Sequence, residues 1–273
     1  MAAYSAFTRW VLIDPPPRWI GLANFREMFT EDRYFGWSLG ITLKYMGMTL
    51  IPFMILGLAI SLLLNQKLPG MNVFRTVFYV PAVVSTVATA ILFMALLDPQ
   101  FGAVNTLLRS LGVQNPPNWI NSPDWALPSV AIMSLWGIGS GAIIYLAGLQ
   151  NIPPHLYEAA DIDGANIWQK FWRITIPLLS PTIFLVFITG IIGSFQVFAP
   201  AYILGGTTRF GGGSKYLRFY LLHLYLKGFQ QGRLGYASAL AWVLFIISAV
   251  TVFIAYNVSE KWVYYEEGGQ ERS

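Results

Sequence analysis

Residues 182–204 read TIFLVFITGIIGSFQVFAPAYIL and contain no charged side chain. A hydrocarbon core about 30 Å thick is crossed by a helix of about 20 mostly apolar residues. This stretch is therefore long enough to span a membrane. It is also too continuously apolar for a barrel strand, in which every second residue would be polar. The pattern predicts a transmembrane helix.

Four further stretches have the same character, and they lie at residues 39–64, 76–97, 127–149 and 237–258. Lys44 is the one charged residue within them, and it lies near one end of its stretch, where a long side chain can reach the membrane surface. The sequence therefore predicts an all-α, polytopic membrane helical bundle with about five transmembrane helices. The predicted domains are an N-terminal segment (1–36), a transmembrane domain (37–258) and a tail (259–273).

The composition supports a membrane protein. Charged residues make up 11% of the 273 residues, hydrophobic residues make up 55%, and the mean hydropathy is +0.54. Because soluble domains carry about 25% charged residues, a soluble enzyme and a disordered chain are disfavoured. The net charge of +4 is too small and too scattered for a nucleic-acid-binding surface. Without cysteine there can be no disulfide, zinc–thiolate or iron–sulfur site.

The connections between the predicted spans differ in character. The N-terminal segment is rich in arginine and contains three consecutive prolines, so it is expected to form a loop. Residues 98–126 are expected to form an ordered loop with a short helix at 104–111. Residues 205–236 begin with glycine-rich turns at 205–206 and 211–213 and continue as an amphipathic stretch at 216–229.

The loop at residues 150–181 has the clearest local signals. Pro153 and Pro154 predict the start of a helix, because proline is tolerated where the first N–H groups lack partners. Gly164 predicts the end of that helix, since glycine readily adopts the left-handed conformation of a sharp turn. A second short helix is predicted to follow, with an apolar stripe at Trp168, Phe171 and Trp172, and to end at Pro177. Two short helices of this kind would form a rigid, protruding element.

The sequence Glu-Ala-Ala at 158–160, followed by Asp-Gly-Ala at 163–165, resembles the EAA loop in permease subunits of binding-protein-dependent ABC importers. Further resemblance to the carbohydrate-uptake branch, of the maltose and glycerol-phosphate type, extends over about residues 20–267. It is carried by Gly21-Leu-Ala-Asn-Phe25, Phe74-Arg-Thr-Val-Phe-Tyr-Val-Pro81, Leu146-Ala-Gly-Leu-Gln-Asn-Ile-Pro153 and Gly235-Tyr-Ala-Ser-Ala239.

The resemblance implies the type I ABC importer permease fold and a role in importing a sugar, oligosaccharide or related polyol. It also implies that the EAA loop docks on an ATPase, through Glu158, Ala159, Ala160, Asp163, Gly164, Ala165 and Pro177. The implied partners are a second homologous permease, a dimer of ABC ATPase subunits and an extracytoplasmic solute-binding protein. ATP would be bound by the ATPase, so no cofactor and no catalytic residue is expected in this chain. The implied location is the cytoplasmic membrane of a bacterium or archaeon.

Members of the resembling family begin with a further transmembrane helix, which has no counterpart here. We expect the reading frame to extend upstream and to encode this helix. The alternative is a subunit with five spans and an external N-terminus. The distribution of Lys and Arg, six on the side of the 150–181 loop against ten on the other, would by itself place that loop outside the cell. Because an EAA loop must reach a cytoplasmic ATPase, the loop and the tail are nevertheless expected inside and the N-terminal segment outside.

Polar and aromatic side chains in the middle of a span are candidates for solute contact, because hydrocarbon leaves their hydrogen bonds unsatisfied. The spans on either side of the EAA loop contain five such candidates for the solute path: Trp136, Gly137, Ser140, Ser194 and Gln196. Small residues in membrane helices also serve close packing, and this alternative remains open for the glycine and the serines.

Two other classes of function are weaker. A membrane enzyme would need charged residues clustered at one membrane face with catalytic spacing, and none is found. A self-contained secondary transporter or channel would be expected to place ionisable residues inside its spans, where only Lys44 occurs. The two histidines are far apart in the sequence, which disfavours a metal site.

Overall fold

The computed structural model describes residues 2–12, 14–66, 68–205 and 214–259. The glycine-rich turn predicted at 211–213 and nearly all of the predicted tail lie outside these residues. The described chain is almost entirely helical, apart from a two-stranded antiparallel hairpin near the N-terminus. The strands are β1 (Thr8–Val11) and β2 (Asp14–Trp19), and the helices are α1 (Ala2–Ser5), α2 (Ala23–Thr30), α3 (Arg33–Leu64), α4 (Met71–Val83), α5 (Thr86–Leu96), α6 (Ala103–Ser110), α7 (Ala126–Leu135), α8 (Gly139–Gln150), α9 (Pro154–Ile162), α10 (Ile167–Lys170), α11 (Ile176–Phe195), α12 (Ala199–Leu204), α13 (Tyr220–Tyr225) and α14 (Leu234–Ser259).

The described residues contain three helical runs that are long and apolar enough to cross a membrane: Arg33–Leu64, Ile167–Leu204 and Leu234–Ser259. Two further spans are possible if α4 with α5, and α7 with α8, each count as one broken span. The all-α, polytopic architecture predicted from the sequence is therefore confirmed. The breaks were not predicted, because mean hydropathy does not register a local interruption of the backbone hydrogen bonds.

The N-terminal segment differs from the predicted loop. It forms the hairpin and α2, and α3 begins at Arg33, inside the segment predicted as 1–36. Asn24 of α2 is buried and donates hydrogen bonds to the carbonyl oxygens of Ala6 and Thr8, which ties the helix to the hairpin. These bonds need a fixed tertiary arrangement, so the local sequence pattern could not indicate them. The short helix predicted at 104–111 corresponds to α6.

By contacts the chain divides into two compact units. The first comprises Met1–Thr49, Val84–Leu135 and Ile191–Val250, and the second comprises Leu50–Val83, Trp136–Gly190 and Thr251–Ser273. Within the second unit, a buried cluster that includes Tyr145, Leu149 and Leu179 forms the core. A Cβ atom at Gly148 would overlap the side chains of Thr182 and Leu179, so glycine permits the close approach of α8 and α11 here. These helices flank the 150–181 loop and give it a fixed base.

Candidate functional site

The first helix of the loop, α9, begins where the sequence predicted. Pro153 precedes it in an extended conformation and Pro154 is its first residue. Tyr157 and Leu156 are half-buried, whereas Glu158 and Ala159 are exposed. The helix therefore presents the Glu158–Ala159 surface away from the core of its unit, while its other face packs against that core.

The turn after α9 is a Schellman motif centred on Gly164. The N–H of Ala165 donates to the carbonyl of Ala160 at 2.9 Å, and the N–H of Gly164 donates to the carbonyl of Asp161 at 3.1 Å. Gly164 has φ +74°, in the left-handed region that costs any residue with a Cβ about 1–2 kcal/mol. The role predicted for this glycine as the end of the helix is confirmed.

The second helix is locked to the first by side chains. Asn166 and Gln169 form a reciprocal capping box at the start of α10, with hydrogen bonds of 2.8 and 2.9 Å. The Lys170 ammonium group lies 2.6 Å from the Asp161 carboxylate of α9. The hydroxyl groups of Tyr157 and Thr175 lie 2.9 Å apart. The Lys170–Asp161 and Tyr157–Thr175 contacts therefore join α9 to α10 and to the π-helical residues after it.

Pro177 does not end the second helix, contrary to the prediction. Five residues of π-helix, Phe171–Thr175, follow α10, and α11 then begins at Ile176 with Pro177 as its second residue. Pro181 also lies inside α11. The N–H of Ile176 bonds to the carbonyl of Phe171, five residues back, and this wider turn lets the chain pass a proline that lacks an N–H group. The loop thus continues into the span without a flexible joint.

The outer surface of the loop is apolar at several positions. Ile162, Trp168 and Trp172 are 87, 71 and 61% exposed. A neighbouring groove of about 300 Å³ is lined by Leu156, Arg173, Ile174, Pro177 and Leu178. Of the predicted coupling residues, Asp163 and Gly164 are exposed with Glu158 and Ala159, while Ala160, Ala165 and Pro177 are half-buried. We call the surface formed by Glu158, Ala159, Ile162, Trp168 and Trp172 the loop face.

Three of the predicted solute-path residues lie at an interruption of a span. Trp136 and Gly137 belong to the short turn between α7 and α8, and Ser140 follows in the first turn of α8. The indole of Trp136 is 43% exposed. The Ser140 hydroxyl donates to the carbonyl of Gly137 at 2.9 Å, and the N–H of Ser140 donates to the same carbonyl at 3.1 Å. Interrupted membrane helices expose backbone polar groups that can bind solutes.

The other two predicted residues lie near a second interruption, between α11 and α12. Ser194 is buried in the last turn of α11, which suits a packing role. Gln196 is exposed in the turn that follows, and its side-chain amide has no hydrogen bond to another described residue. Trp136 and Gln196 belong to different compact units.

The sequence analysis missed a buried polar network in the first unit. The side chain of Asp32, just before α3, is 2% exposed. One of its carboxylate oxygens lies 2.9 Å from Nε2 of His223 and 3.2 Å from Nζ of Lys227, and it accepts a hydrogen bond of 2.7 Å from the Tyr236 hydroxyl. These residues are about 190–205 positions from Asp32 in the chain, so no local spacing could have indicated the contacts.

Hydrogen bonds and nearby charges shift the pKa values of the acidic residues in this part of the molecule. Burial by itself would raise the pKa of Asp32, but hydrogen bonds from His223 and Tyr236 outweigh it and hold the pKa far below its ordinary value. Nearby, Arg233 contacts both carboxylate oxygens of Glu27, at 2.6 and 2.5 Å. This hydrogen-bonded pair lowers the pKa of Glu27 and raises the pKa of Arg233. Both pairs connect the N-terminal elements to the chain just before and within the last span.

These features define an integral membrane permease: apolar helical spans, several of them interrupted, and a rigid loop of two short helices between spans. The model of the family "Binding-protein-dependent transport system inner membrane component" matches residues 39–263. The chain belongs to this family, and the resemblance noted in the sequence is confirmed.

Relatives and solved structures agree with this assignment. The chain is 37% identical to the "Probable ABC transporter permease protein YesP" of Bacillus subtilis (strain 168), over 96% of this chain and 84% of the relative. It is 32% identical to the "Trehalose/maltose transport system permease protein MalF" of Thermococcus litoralis, over 88 and 79%. A chain of a bacterial ABC transporter that imports the acidic polysaccharide alginate has the same fold, with a TM-score of 0.80, 27% identity and coverage of 89% of this chain and 84% of that one. The type I importer permease fold is therefore confirmed.

Proposed function

We propose that this chain forms half of the translocation pathway of an ABC importer for a sugar, an oligosaccharide or a related polyol. The observation that carries the proposal is the rigid loop with its exposed loop face. Relatives named for arabinooligosaccharide and for trehalose and maltose transport support the solute class. A similar solved structure is described as a complex with an alginate pentasaccharide-bound periplasmic protein, which supports an extracytoplasmic binding protein as a partner.

The loop is proposed to lie on the cytoplasmic side and to transmit movement from the ATPase to the spans. The two helices of the loop are linked to each other by the Lys170–Asp161 and Tyr157–Thr175 contacts. From α10 the chain continues through the π-helical residues into α11 without a break. A push on the loop face would therefore reach a span directly. ATP would be bound by the partner ATPase, so this chain supplies no cofactor chemistry. Exposed Ile162 and Trp172 would be covered by the ATPase surface.

The exposed carboxylate of Glu158 is expected to contact a basic group of the ATPase. Glu158→Lys should therefore lower solute uptake and solute-stimulated ATP hydrolysis by about tenfold, because charge reversal at an interface places like charges together. Uptake, ATP hydrolysis and co-purification of the ATPase should be measured in membrane vesicles. Glu31→Lys is the matched control, because Glu31 is also an exposed acid but lies in the N-terminal part of the first unit. Equal activities for Glu158→Lys and the wild type would contradict the coupling role.

The free amide of Gln196 is proposed to bond solute hydroxyl groups. Gln196→Leu should lower transport efficiency by roughly five- to a hundredfold, because an unpaired polar group in a dry site typically costs about 1–3 kcal/mol. Trp136→Ala should have a comparable effect through the loss of a surface that stacks on the apolar side of a sugar ring. Ser194→Ala is the control, because its buried side chain is not expected to face solute. Wild-type apparent affinity and rate in both variants, at equal membrane abundance, would assign these residues to packing alone.

The proposal also requires a second permease, since five or six helices enclose only half of a pathway for a sugar-sized solute. Reconstitution into liposomes separates the possibilities. Uptake is expected only when the second permease and the ATPase are present. Solute flux by this chain alone, without ATP, would instead support a self-contained secondary transporter or channel.

A further inference from the structure

The N-terminal hairpin is held at the level where two spans begin. Asn24 of α2 fixes it near the start of α3, and the hairpin tip pairs with the residues that precede α14. In that second contact, the N–H of Leu12 donates to the carbonyl of Gly232 at 2.8 Å. Because the start of a transmembrane helix lies near the membrane surface, the contact with the residues before α14 is expected to bring the hairpin close to the lipid headgroups.

A cavity of about 510 Å³ lies beneath the hairpin. Its walls include Arg9, Trp10, Ile20, Asn24, Glu27 and Arg233. This volume lies within the range of sites for small ligands, about 300–1,000 Å³. The cavity combines an aromatic and an aliphatic side chain with charged groups, so it can accept a ligand that has both a polar and an apolar part.

The charges of this cavity do not balance. Arg233 is neutralised by its paired contacts to Glu27. Arg9 has no acidic partner among the described residues, and the strand register places it directly opposite Arg18, with both residues exposed. Like charges opposite each other in a strand pair are destabilising. The arrangement becomes favourable when an anion lies between or beside the two guanidinium groups, which bind phosphate oxygens with good geometry.

The surroundings are those of a membrane interface. Trp19 is 61% exposed and stacks on Phe7 and against Tyr4 with ring centroids 5.6 Å apart in both pairs. Tryptophan and tyrosine are enriched at the headgroup level of membranes, and guanidinium groups bind phosphate oxygens with paired hydrogen bonds. We propose that the hairpin cavity, with Arg9 in its wall and Arg18 opposite Arg9 in the strand pair, binds the phosphodiester headgroup of an anionic phospholipid. Trp10 and Ile20 would contact the glycerol and the upper acyl chain.

The test uses the full chain, purified and transferred to lipid nanodiscs of phosphatidylcholine with or without phosphatidylglycerol. Native mass spectrometry then counts the retained lipids. We expect wild-type protein to retain phosphatidylglycerol over phosphatidylcholine, and Arg9→Gln and Arg18→Gln each to weaken this preference about fivefold. Arg9→Lys should keep much of it. Arg26→Gln is the matched control, because Arg26 is an exposed arginine of α2 that belongs neither to the cavity wall nor to the Arg9–Arg18 strand pair.

Three outcomes would overturn the proposal. The first is an equal loss in Arg26→Gln, which would reflect general surface charge. The second is displacement of phosphatidylglycerol by millimolar inorganic phosphate or glycerol phosphate, which would indicate a site for a free anion. The third is an unchanged lipid preference in the double variant Arg9→Gln/Arg18→Gln. Thermal stability of each variant in phosphatidylcholine alone, compared with the wild type, separates loss of the site from loss of the fold.

Discussion

Gly164→Pro is expected to reduce solute uptake by about a hundredfold or more while the chain still inserts into the membrane. Gly164 has φ +74° and its N–H donates to the carbonyl of Asp161. Proline fixes φ near −65° and has no N–H, so the Schellman turn cannot form, at a cost of about 3 kcal/mol or more. The turn joins the two helices of the loop, and without it the loop face cannot keep one shape. Uptake and ATP hydrolysis in proteoliposomes, together with co-purification of the ATPase, measure the effect.

Gly164→Ala gives a graded version of the same test. No other atom lies within 4 Å of the added Cβ, so the variant introduces backbone strain without a steric clash. The expected cost is about 1–2 kcal/mol, and uptake should fall to an intermediate level. Gly36→Ala is the matched control, because Gly36 is helical and also has free space around its Cβ position. If Gly164→Pro transported like the wild type, the turn would have no part in coupling.

Asp32→Asn is expected to lower the free energy of unfolding by about 3–5 kcal/mol. The substitution keeps the shape of the side chain but removes the charge that faces His223 and Lys227, and breaking a buried ion pair leaves the remaining charge without compensation. Denaturation of the purified protein in detergent, followed by circular dichroism, measures the change. Abundance in the membrane should fall as well.

The matched control is Asp161→Asn in the loop. Asp161 also contacts a lysine, Lys170, at 2.6 Å, but its side chain is 60% exposed. Exposed ion pairs contribute less than about 1 kcal/mol, so this variant should remain close to the wild type in stability. A similar small effect for both variants would show that the buried network around Asp32 does not stabilise the protein.

The pH dependence of this network has a defined sign. Because the folded pKa of Asp32 is held below its ordinary value, the stabilisation from its carboxylate is fully present above the ordinary value near pH 4. It is lost only as the pH falls through the folded pKa. Stability between pH 5 and 8 should therefore not change through Asp32. A loss of stability in that window that persists in Asp32→Asn would have to come from another group.

The local features of this protein follow from the sequence because their causes are local. A run of about 20 apolar residues needs only the thickness of a bilayer to be predicted as a span. The start of α9 depends on Pro153 and Pro154, and its end depends on the left-handed Gly164, and each of these residues lies at the helix end that it determines. The Glu-Ala-Ala and Asp-Gly-Ala pattern, at fixed spacing, was sufficient to indicate the family.

Features that depend on distant residues or on backbone continuity could not be predicted from the local sequence. Pro177 was predicted to end a helix, but π-helical turns before it carry the chain into α11. The interruptions beside Trp136 and Gln196 do not alter the mean hydropathy of their spans, so hydropathy could not reveal them.

The buried network is the clearest case. The residues that surround Asp32 are about 190–205 positions away in the sequence, and each is unremarkable alone. Only packing of the N-terminal elements against the segment before and at the start of α14 brings them within hydrogen-bond distance. The sequence by itself determined the spans, the loop and the family, because apolar length and turn chemistry act over a few residues. The tertiary structure alone decided which charges are buried and paired, because burial and pairing depend on which distant elements meet.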